Sequence, residues 1–588
     1  MLNITFLVKI GLMDYTIFKI KKQILDLIAQ AIGQDLDLAK LEITVPPDSQ
    51  MGDLAVPCFY LSKLTRQAPN KIAEELAAKI NPGGLIKAIK NIGPYLNFFI
   101  NPSVLAKNVV KEIQKQKNSY GALKLSREKI MLEYSQPNTH KEFHIGHLRN
   151  AVLGASLVNL LRFAGYKVSP VNYIGDVGAH VAKCLWAYDK FYKQESLPQD
   201  KGKFLGQIYT EAARKIEANP AYKKEVDEVL QKLESGDPKA FSGASKTWLA
   251  LWKKTREWSL DSFDDIYKTL GIKFDQVFYE SEVEKPGKKI VEELLAKGIA
   301  QKSEGAVIID LEKYGLKKLL LLKSDGSSLY STKELALAKL KFEKFKIDKS
   351  LVVVDSRQSF YFQQFFKTLE VIGFKKPTLH IPYEFVTLKS GAMASRIGNV
   401  VLFQDFYQQI INKAKMETSK RHEDWPAKKI SRVAEQIALS AMKFNMLKVS
   451  NNSVIIFDID EALSFEGFSG PYIQYTCSRI NSVLKKAGFS VSADVNQVKL
   501  NSDLEKELLL KLASWPEIVE AAAQSYEPSE IAKYLFELSR LFSTFYQQVS
   551  ILSSPAGLKE ARLALIDSIR KVLINGLAIL GLEPLDQM

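Results

Sequence analysis

The stretch from Ile130 to Gly175 constrains the fold more than any other part of the sequence, because it alternates strand, helix and strand. IMLEYS and KVSPVNYIG have the short apolar runs of buried strands, and HIGHLRNAVLGASLVNLLRFAG between them predicts a long helix that ends at Gly165. Farther along, the predicted strands are AVIIDL, KKLLLLKSDG and LVVVD, and the predicted helices are STKELALAKLKFEKF and SFYFQQFFKTLEVIGF. This alternation predicts an α/β fold of Rossmann type, with a parallel sheet covered by helices.

The two ends of the chain predict two further domains. Residues 1–117 combine helical apolar spacing, a turn-rich passage and the strand-like GPYLNFFI, which predicts a small α+β domain. Residues 118–425 contain the α/β core, with a Lys- and Glu-rich helical insertion at about 190–265. Residues 426–588 have helical spacing throughout and predict a C-terminal all-α bundle. Met13 directly precedes the first amphipathic helix, so we interpret the first dozen residues as a loose tail or a misassigned start.

Composition narrows the class of partner. The 588 residues include 81 Lys and Arg against 66 Asp and Glu, a formal charge of +15, which favours a polyanionic partner such as nucleic acid. No stretch reaches the roughly 18 to 20 apolar residues of a membrane span. Cys58, Cys184 and Cys477 form no C-x-x-C pair, which indicates no structural metal or disulfide framework and favours a reducing compartment. We therefore expect a soluble cytoplasmic protein.

The junction EYSQPNTHKEFHIGHLRN carries the most specific chemical pattern in the sequence. A helix that begins behind a parallel strand directs free N–H groups and its positive dipole end at a bound anion, so phosphate is the expected ligand. His144 and His147 are three residues apart on one helical face, where their imidazoles can donate hydrogen bonds to a phosphate. Gly146 leaves room for a flat base or a ribose to approach the backbone. The residues alone leave open that the two histidines simply cap the helix.

This junction and four other segments resemble class I aminoacyl-tRNA synthetases, and specifically arginyl-tRNA synthetases. The segments are SQPNTHKEFHIGHLRN, VNYIGDVGAH, KSDGSSLYSTKELALAKLKFEKF, FEGFSGPYIQYTCSRI and ARLALIDSIRKVLINGLAILGLE, in the order of that family. The resemblance implies a Rossmann catalytic domain, an N-terminal domain that touches the tRNA elbow and a C-terminal bundle that reads the anticodon. It also implies L-arginine, ATP with its Mg²⁺, and tRNA(Arg) as ligands of a monomer, with an arginyl-adenylate formed before tRNA is acylated.

The resemblance assigns ATP binding to two segments. The first contains His144, Gly146 and His147, with both histidines catalytic. The second is a signature loop whose counterpart is GAMASRIGNVV, where Met393 and Ser395 would contact ATP and Arg396 would act in catalysis. This loop departs from the family because Ala392 and Ile397 replace basic residues. Lys141, three residues before His144, is the expected substitute, and Lys389 is a secondary candidate.

The resemblance also implies an arginine pocket. A guanidinium requires an acidic partner, because a carboxylate matches both its charge and its forked geometry. Tyr330 and Glu334 match a Tyr-x-x-x-Asp pattern of the side-chain pocket, with glutamate for aspartate as the departure. The other residues expected to bind arginine are Glu133, Gln136, Asn138, His147 and Gln358.

Several alternatives remain open at this stage. Another class I ligase, such as the cysteinyl enzyme, would need cysteine-rich zinc ligands that this sequence lacks. A tRNA-binding protein that has lost catalysis would explain the altered signature loop. The basic residues 413–429 either follow tRNA phosphates or form a solvated linker face. The bundle aromatics either stack on anticodon bases or belong to the core: Tyr472, Tyr475, Tyr534, Phe542, Phe545 and Tyr546.

Overall fold

The computed structural model describes residues 15–33, 36–235, 244–389, 401–489 and 500–588. They form two compact units. The terminal unit contains the chain up to Ser126, Phe163–Gly165 and Ser464–Met588. The central unit contains Arg127–Arg162 and Tyr166–Leu463. Across the described residues, no helix combines the length and the apolar composition needed to cross a bilayer.

The N-terminal part of the terminal unit is the expected α+β domain. Its elements are α1 (Thr16–Ile32), β1 (Leu54–Pro57), α2 (Phe59–Thr65), α3 (Pro69–Lys79), β2 (Ile86–Ile92), β3 (Tyr95–Ile100) and α4 (Pro102–Gln116). The strands form an antiparallel sheet in the order β1-β3-β2, so the GPYLNFFI segment supplies the central strand. Helix α1 buries Ile20, Ile24 and Ile28, whose spacing of four keeps them on one face.

The central unit begins with the strand, helix and strand predicted from the sequence. Its first elements are β4 (Lys129–Glu133), α5 (Ile145–Phe163), β5 (Lys167–Ile174), α6 (Ala179–Ala187), α7 (Lys201–Ala218), α8 (Tyr222–Ser235), α9 (Ala244–Leu270), β6 (Gln276–Tyr279) and α10 (Glu280–Ala296). Strands β4 and β5 are parallel, with Leu132 opposite Pro170. Helices α7, α8 and α9 occupy the segment interpreted as a helical insertion.

A five-stranded parallel sheet organises the central unit. The remaining elements are β7 (Gln301–Ser303), β8 (Ala306–Ile309), β9 (Leu319–Leu322), α11 (Tyr330–Phe345), β10 (Lys349–Asp355), α12 (Ser359–Val371), β11 (Thr378–Tyr383), β12 (Val386–Leu388), α13 (Phe403–Arg421), α14 (Ala427–Leu447), β13 (Ile455–Phe457) and α15 (Ile459–Ala462). The strand order is β11-β10-β4-β5-β6, with every pair parallel. The chain moves outward from β4 in both directions, so β4 and β10 flank the switch point where doubly wound sheets bind ligands.

Two strand predictions differ from the structure. AVIIDL and KKLLLLKSDG do form strands, but β8 and β9 pair with β7 in a separate antiparallel sheet. Only Glu304 and Gly305 connect β7 to β8, both with positive φ, and a parallel crossover needs a dozen or more residues. The sequence analysis also missed β13, which pairs in parallel with β12. Three residues are too short to display the alternation that identifies a strand.

The chain ends with the helices of the predicted all-α bundle. They are α16 (Gly470–Lys486), α17 (Asp503–Ala513), α18 (Trp515–Ser525), α19 (Pro528–Gln548) and α20 (Leu558–Ile579). These helices pack with the N-terminal domain in the same unit. The Trp515 indole N–H donates to the Tyr120 carbonyl at 2.9 Å, and the Gln114 amide donates to Asp567 at 3.0 Å. Hydrogen bonds therefore join the two ends of the chain within this unit.

Candidate active site at the carboxyl edge of the parallel sheet

The loop between β4 and α5 is held by buried amide side chains. Its backbone has positive φ at Ser135, Gln136 and His140. Asn150 accepts the Ser135 N–H at 2.7 Å, and Asn172 accepts the Gln136 N–H at 3.0 Å. Because these contacts fix an unusual backbone path, the loop presents its side chains to the switch point in one arrangement.

His140 tethers this loop to the helical insertion. Its Nε2 lies 2.8 Å from the Thr255 hydroxyl on α9, and its Nδ1 lies 3.0 Å from the Thr139 hydroxyl. Its backbone N–H donates to the Ser259 hydroxyl at 2.9 Å. The ring is completely buried, and this burial lowers the pKa of His140 to about 3. His140 is therefore neutral at physiological pH.

The neutral state of His140 predicts a specific pH dependence of stability. The folded pKa lies below the ordinary value of 6.5, so the stabilisation is present above pH 6.5 and is lost as pH falls toward the folded pKa. We expect His140→Gln to destabilise the protein at pH 7.5, and this penalty to be smaller by about 2 kcal/mol at pH 5. Urea unfolding of both proteins at the two pH values measures the difference. An equal penalty at both values would contradict the buried neutral assignment.

His144 and His147 form an interlocked pair at the start of α5. The His144 Nδ1 accepts the N–H groups of Gly146 at 3.0 Å and His147 at 3.3 Å. The His147 Nδ1 accepts the His144 N–H at 3.2 Å, and the two rings stack with their centroids 3.7 Å apart. Since both Nδ1 atoms accept hydrogen bonds, each neutral ring carries its proton on Nε2.

Burial and a nearby lysine keep these two imidazoles neutral. Burial, with Lys141 close by, lowers the pKa of His144 to about 4. Burial, with His144 and Lys141 nearby, also lowers the pKa of His147 well below its ordinary value. The pair therefore offers two Nε2–H donors at neutral pH. Donors of this kind stabilise negative charge that develops on a phosphate during reaction.

The expectation that the first N–H groups of α5 are free to bind an anion is wrong. The Ile145 N–H donates to the Val401 carbonyl at 3.1 Å, and His144 already accepts the next two N–H groups. A Cβ added to Gly146 would lie 2.9 Å from the His144 ring, so the small residue accommodates this imidazole. Helix capping and phosphate binding, the two interpretations of the sequence, are therefore compatible. The His144 Nδ1 caps the helix, and its Nε2 takes no part in that cap.

Lys141 and Lys183 lie against the same aromatic ring. Their Nζ atoms are 5.1 Å and 5.6 Å from the ring centre of Tyr209 on α7. Among the described residues, neither lysine has a carboxylate within salt-bridge distance. Burial lowers the pKa of Lys141, which indicates that its charge is partly removed from water. The sequence analysis missed Lys183, because nothing in the local pattern places it beside Lys141.

Two carboxylates at the sheet edge are neutralised by lysines of α11. Glu133 ends β4 and lies 2.6 Å from the Lys341 Nζ, with both side chains buried. The other oxygen of Glu133 accepts the Gln136 side-chain amide at 2.8 Å. Glu280, at the start of α10, pairs with the buried Lys333 at 2.8 Å. Glu280 and Lys333 are further residues that the sequence analysis did not select.

Glu334 is the third carboxylate, and its hydrogen-bond partner is uncharged. Its Oε2 accepts the Tyr361 hydroxyl at 2.7 Å. Glu334, Glu133 and Lys341 line one cavity of about 30 Å³. Burial, with the Glu133 and Glu280 carboxylates nearby, raises the pKa of Glu334 to about 8. A cation bound beside Glu334 would therefore favour its ionised form.

One of the other predicted residues, Tyr330, reaches this pocket. Tyr330 begins α11, is 51% exposed, and its ring centre lies 4.6 Å from that of Tyr361. Asn138 packs against Gly175, where an added Cβ would lie 2.1 Å from its side-chain oxygen. Gln358 is exposed in the turn after β10. Met393, Ser395 and Arg396 lie outside the described residues, as do Ala392 and Ile397.

Tyr173 is another residue that the sequence analysis missed. It lies at the end of β5, and its side chain is buried. Its hydroxyl has no hydrogen-bond partner among the described residues. Burial and the nearby Glu280, Glu334 and Glu133 carboxylates raise its pKa well above the ordinary value. In the same described ranges, no group of three or more His, Cys, Asp or Glu side chains is arranged to hold a metal ion.

Comparisons with known proteins agree with this geometry across the whole chain. The family described as tRNA synthetases class I (R), catalytic domain, matches residues 109–459. The DALR anticodon binding domain matches residues 473–588, and the arginyl tRNA synthetase N terminal domain matches residues 19–100. The parallel sheet, the histidine pair and these matches define a class I aminoacyl-tRNA synthetase.

Relatives over the full length identify the member of that class. An arginine–tRNA ligase of Bdellovibrio bacteriovorus is 37% identical, with 92% of this chain and 93% of the relative covered. One of Clostridium botulinum is 36% identical, with 98% and 100% covered. The arginyl-tRNA synthetase of Thermus thermophilus superposes with a TM-score of 0.78 at 26% identity, over 97% of this chain and all of that structure. The chain belongs to the arginyl-tRNA synthetase family.

Proposed function

We propose that this chain ligates L-arginine to tRNA(Arg) in two steps that consume ATP. A carboxylate oxygen of arginine attacks the α-phosphorus of ATP, the bond to the bridging oxygen breaks, and pyrophosphate leaves. A terminal ribose hydroxyl of tRNA then attacks the arginyl carbonyl, and AMP leaves. The observation that carries the proposal is Glu334, which in the described part of this arginyl-tRNA synthetase chain accepts a hydrogen bond from Tyr361 and pairs with no lysine.

Charge distribution in the pocket supports the choice of arginine. Lys341 and Lys333 pair with two of the three acids, so Glu334 is the acid left to pair with a bound cation. A guanidinium would satisfy that charge with two parallel N–H donors. Tyr330 and Gln358 would contact the same end of the substrate. Lysine, with a single rotating ammonium, would leave part of this arrangement unfilled.

The residues around β4 would hold the other end of the amino acid. Glu133 uses both oxygens on Lys341 and Gln136, so its part in the proposal is to fix the Gln136 amide. Asn138 and His147 would then contact the α-amino side of arginine. Catalysis in this reaction is mostly positioning, and an amide held by a buried ion pair loses little freedom when substrate binds.

The histidine pair and Lys141 would handle the nucleotide. The two Nε2–H groups would donate to the phosphates of ATP, with Gly146 beside them. Lys141 and Lys183 would offset the charge on the departing pyrophosphate, in place of the basic residues that Ala392 and Ile397 replace. Met393, Ser395 and Arg396 remain proposed contacts on the second loop. Magnesium enters as part of the ATP complex.

The terminal unit would bind tRNA. The N-terminal domain would touch the elbow, and the bundle would read the anticodon. Tyr534, Phe542 and Phe545 are buried core residues, which favours the core interpretation for half of the predicted aromatics. Tyr475 and Tyr546 flank Arg479 instead, with ring centres 4.6 Å and 5.4 Å from its guanidinium carbon. These three side chains offer planar surfaces on which a base can stack.

The remaining proposals concern the cellular compartment, the oligomeric state and the basic segment of the chain. The three cysteines are free and buried, which fits a protein of the reducing cytoplasm. We propose that the chain acts as a monomer. Residues 413–429 lie on α13 and the start of α14, where their basic side chains would face tRNA phosphates.

Aminoacylation of tRNA tests the proposed function. Purified protein is incubated with ATP, total tRNA and each of arginine, lysine and citrulline. We expect radiolabel to enter acid-precipitable tRNA only with arginine. Labelling with lysine instead, or no labelling by folded protein that binds tRNA, would overturn the proposal.

Two substitutions at His144 separate its contact with substrate from its contact with the helix. Asn places an oxygen near the Nδ1 position and removes the Nε2–H donor, whereas Gln retains a distal N–H donor and loses the cap. We expect His144→Asn to lower the rate of pyrophosphate exchange by on the order of 10²-fold with little change in melting temperature. His144→Gln should retain more activity and melt at a lower temperature. The reverse ranking of rates would contradict the Nε2 assignment.

A further inference from the structure

Tyr361 is held in place by aromatic packing from several sides. Its ring centre lies 4.6 Å from that of Tyr330, 5.3 Å from that of Phe362 and 6.0 Å from that of Phe365. The side chain is only 9% exposed, and its hydroxyl donates to the Glu334 Oε2 at 2.7 Å. Because this packing holds the ring in place, the hydrogen bond from its hydroxyl also restrains the position of the Glu334 carboxylate.

The surroundings of Glu334 oppose its ionised form. Glu133 of β4 and Glu280 of α10 are the nearby acids, and Tyr173 of β5 is a nearby phenol. Tyr330 and Lys341 lie on its own helix, and Lys341 is occupied by Glu133. Among the described residues, Tyr361 is the only group that donates a hydrogen bond to the Glu334 carboxylate. A phenol donor stabilises a carboxylate more than a carboxylic acid, because the hydrogen bond strengthens with charge.

We propose that Tyr361 is a positioning residue that favours the ionised form of the Glu334 side chain and aims its carboxylate at the substrate guanidinium. The inference rests on the proposed function, because it concerns selection of arginine at the same pocket. It also accounts for the longer acid. Glutamate has one more rotatable bond than the aspartate of the family pattern, and the Tyr361 hydroxyl restrains that extra freedom.

Removing the hydroxyl should create a pH-dependent defect. In Tyr361→Phe, burial and the two neighbouring acids act on Glu334 without the donor that opposes them, so its pKa rises above about 8. A protonated Glu334 binds a guanidinium poorly. Relative to the wild type, arginine binding by the variant should therefore be weakened most at pH 7 and least at high pH, where the Glu334 carboxylate ionises in both proteins. A purely structural role for Tyr361 predicts a defect that pH does not relieve.

The experiment is pyrophosphate exchange from pH 6.5 to 9.5 with saturating ATP and tRNA, as a function of arginine concentration. We expect Tyr361→Phe to raise KM for arginine by about 10- to 30-fold at pH 7 and by less than about 3-fold at pH 9.5. The kcat should change by less than about 3-fold at either pH, since Tyr361 touches no reacting atom. Tyr407→Phe is the matched control, because the Tyr407 hydroxyl donates to Glu435 at 3.2 Å elsewhere in the same unit.

Two results would overturn the inference while leaving the proposed function intact. They are an unchanged KM in Tyr361→Phe, or a raised KM that is the same at every pH. If that variant does not fold, 3-fluorotyrosine at position 361 keeps the ring and makes the phenol a stronger donor. It should move the rise of kcat/KM for arginine to lower pH, and no movement would overturn the inference. Wild-type protein that never exchanges with arginine would overturn the proposed function together with the inference.

Discussion

Glu334→Gln is expected to lower kcat/KM for arginine activation by on the order of 10²- to 10³-fold. The substitution leaves a guanidinium in a partly buried pocket without its anionic partner, a change that costs about 2 to 5 kcal/mol. Glutamine keeps the size of the side chain and an oxygen for the Tyr361 hydroxyl, so the fold should be retained. Pyrophosphate exchange at increasing arginine concentrations measures the loss.

A matched control and an analogue sharpen this prediction. Glu343→Gln changes an acid on the same helix whose side chain is 64% exposed and pairs with Lys339 at 3.9 Å, so its activity should equal that of the wild type. Citrulline has nearly the shape of arginine without the charge. The preference for arginine over citrulline should fall in Glu334→Gln. An unchanged KM for arginine in that variant would show that another acid binds the guanidinium.

Lys141→Ala is expected to reduce pyrophosphate exchange by on the order of 10³-fold, an effect typical of a cation on a transferring phosphoryl group. Lys141 has no carboxylate partner among the described residues and lies partly buried beside the histidine pair, so its charge is available to the nucleotide. The loss should appear mainly in kcat, because the charge on the leaving pyrophosphate rises during reaction. Rapid-quench measurement of adenylate formation reports this step directly.

Lys215→Ala provides the control for Lys141. Lys215 also lies against an aromatic ring, with its Nζ 4.5 Å from the ring centre of Phe191, and it belongs to the same insertion helix as Tyr209. Removing it should leave exchange unchanged. Near-normal exchange in Lys141→Ala would contradict the proposal that this lysine replaces the missing basic residues of the second loop.

The parallel core could be predicted from the sequence because its signals are local. Strands such as LVVVD and helices such as α5 are identified by their own apolar patterns. The antiparallel β8 and β9 have the same strand signal as the core strands, whereas β7 has no apolar pattern, and the two-residue connection at Glu304 and Gly305 makes β7 and β8 antiparallel. The union of both chain ends in one unit depends on contacts such as Trp515 with Tyr120, which no periodicity reveals.

The residues of the candidate site also divide into those with a local sequence signal and those brought together by the fold. The histidine pair, Lys141 and Glu334 could be selected because a contiguous pattern surrounds each of them. The pairing of Glu133 with Lys341 joins β4 to the far end of α11, and Tyr361 reaches Glu334 from the next helix. Such contacts can be identified only in the folded structure. The protonation of individual atoms also depends on the fold, since the Nε2–H tautomer of His144 follows from the N–H groups that its Nδ1 accepts.

The main alternative function is a tRNA-binding protein without catalytic activity, because the second signature loop lacks the basic residues usual in the family. The geometry argues against it. A protein without catalysis has no need for a pair of neutral imidazoles or for a buried glutamate that, among the described residues, pairs with no lysine. Burial of these polar groups carries a stability cost.

The most direct test of the account is pyrophosphate exchange with each of the twenty amino acids, with and without total tRNA. The account predicts exchange with arginine alone, and the arm without tRNA establishes whether activation depends on bound tRNA. Exchange with another amino acid would contradict the Glu334 pocket. No exchange under any condition, from folded protein that still binds tRNA, would contradict catalysis and favour the inactive rival.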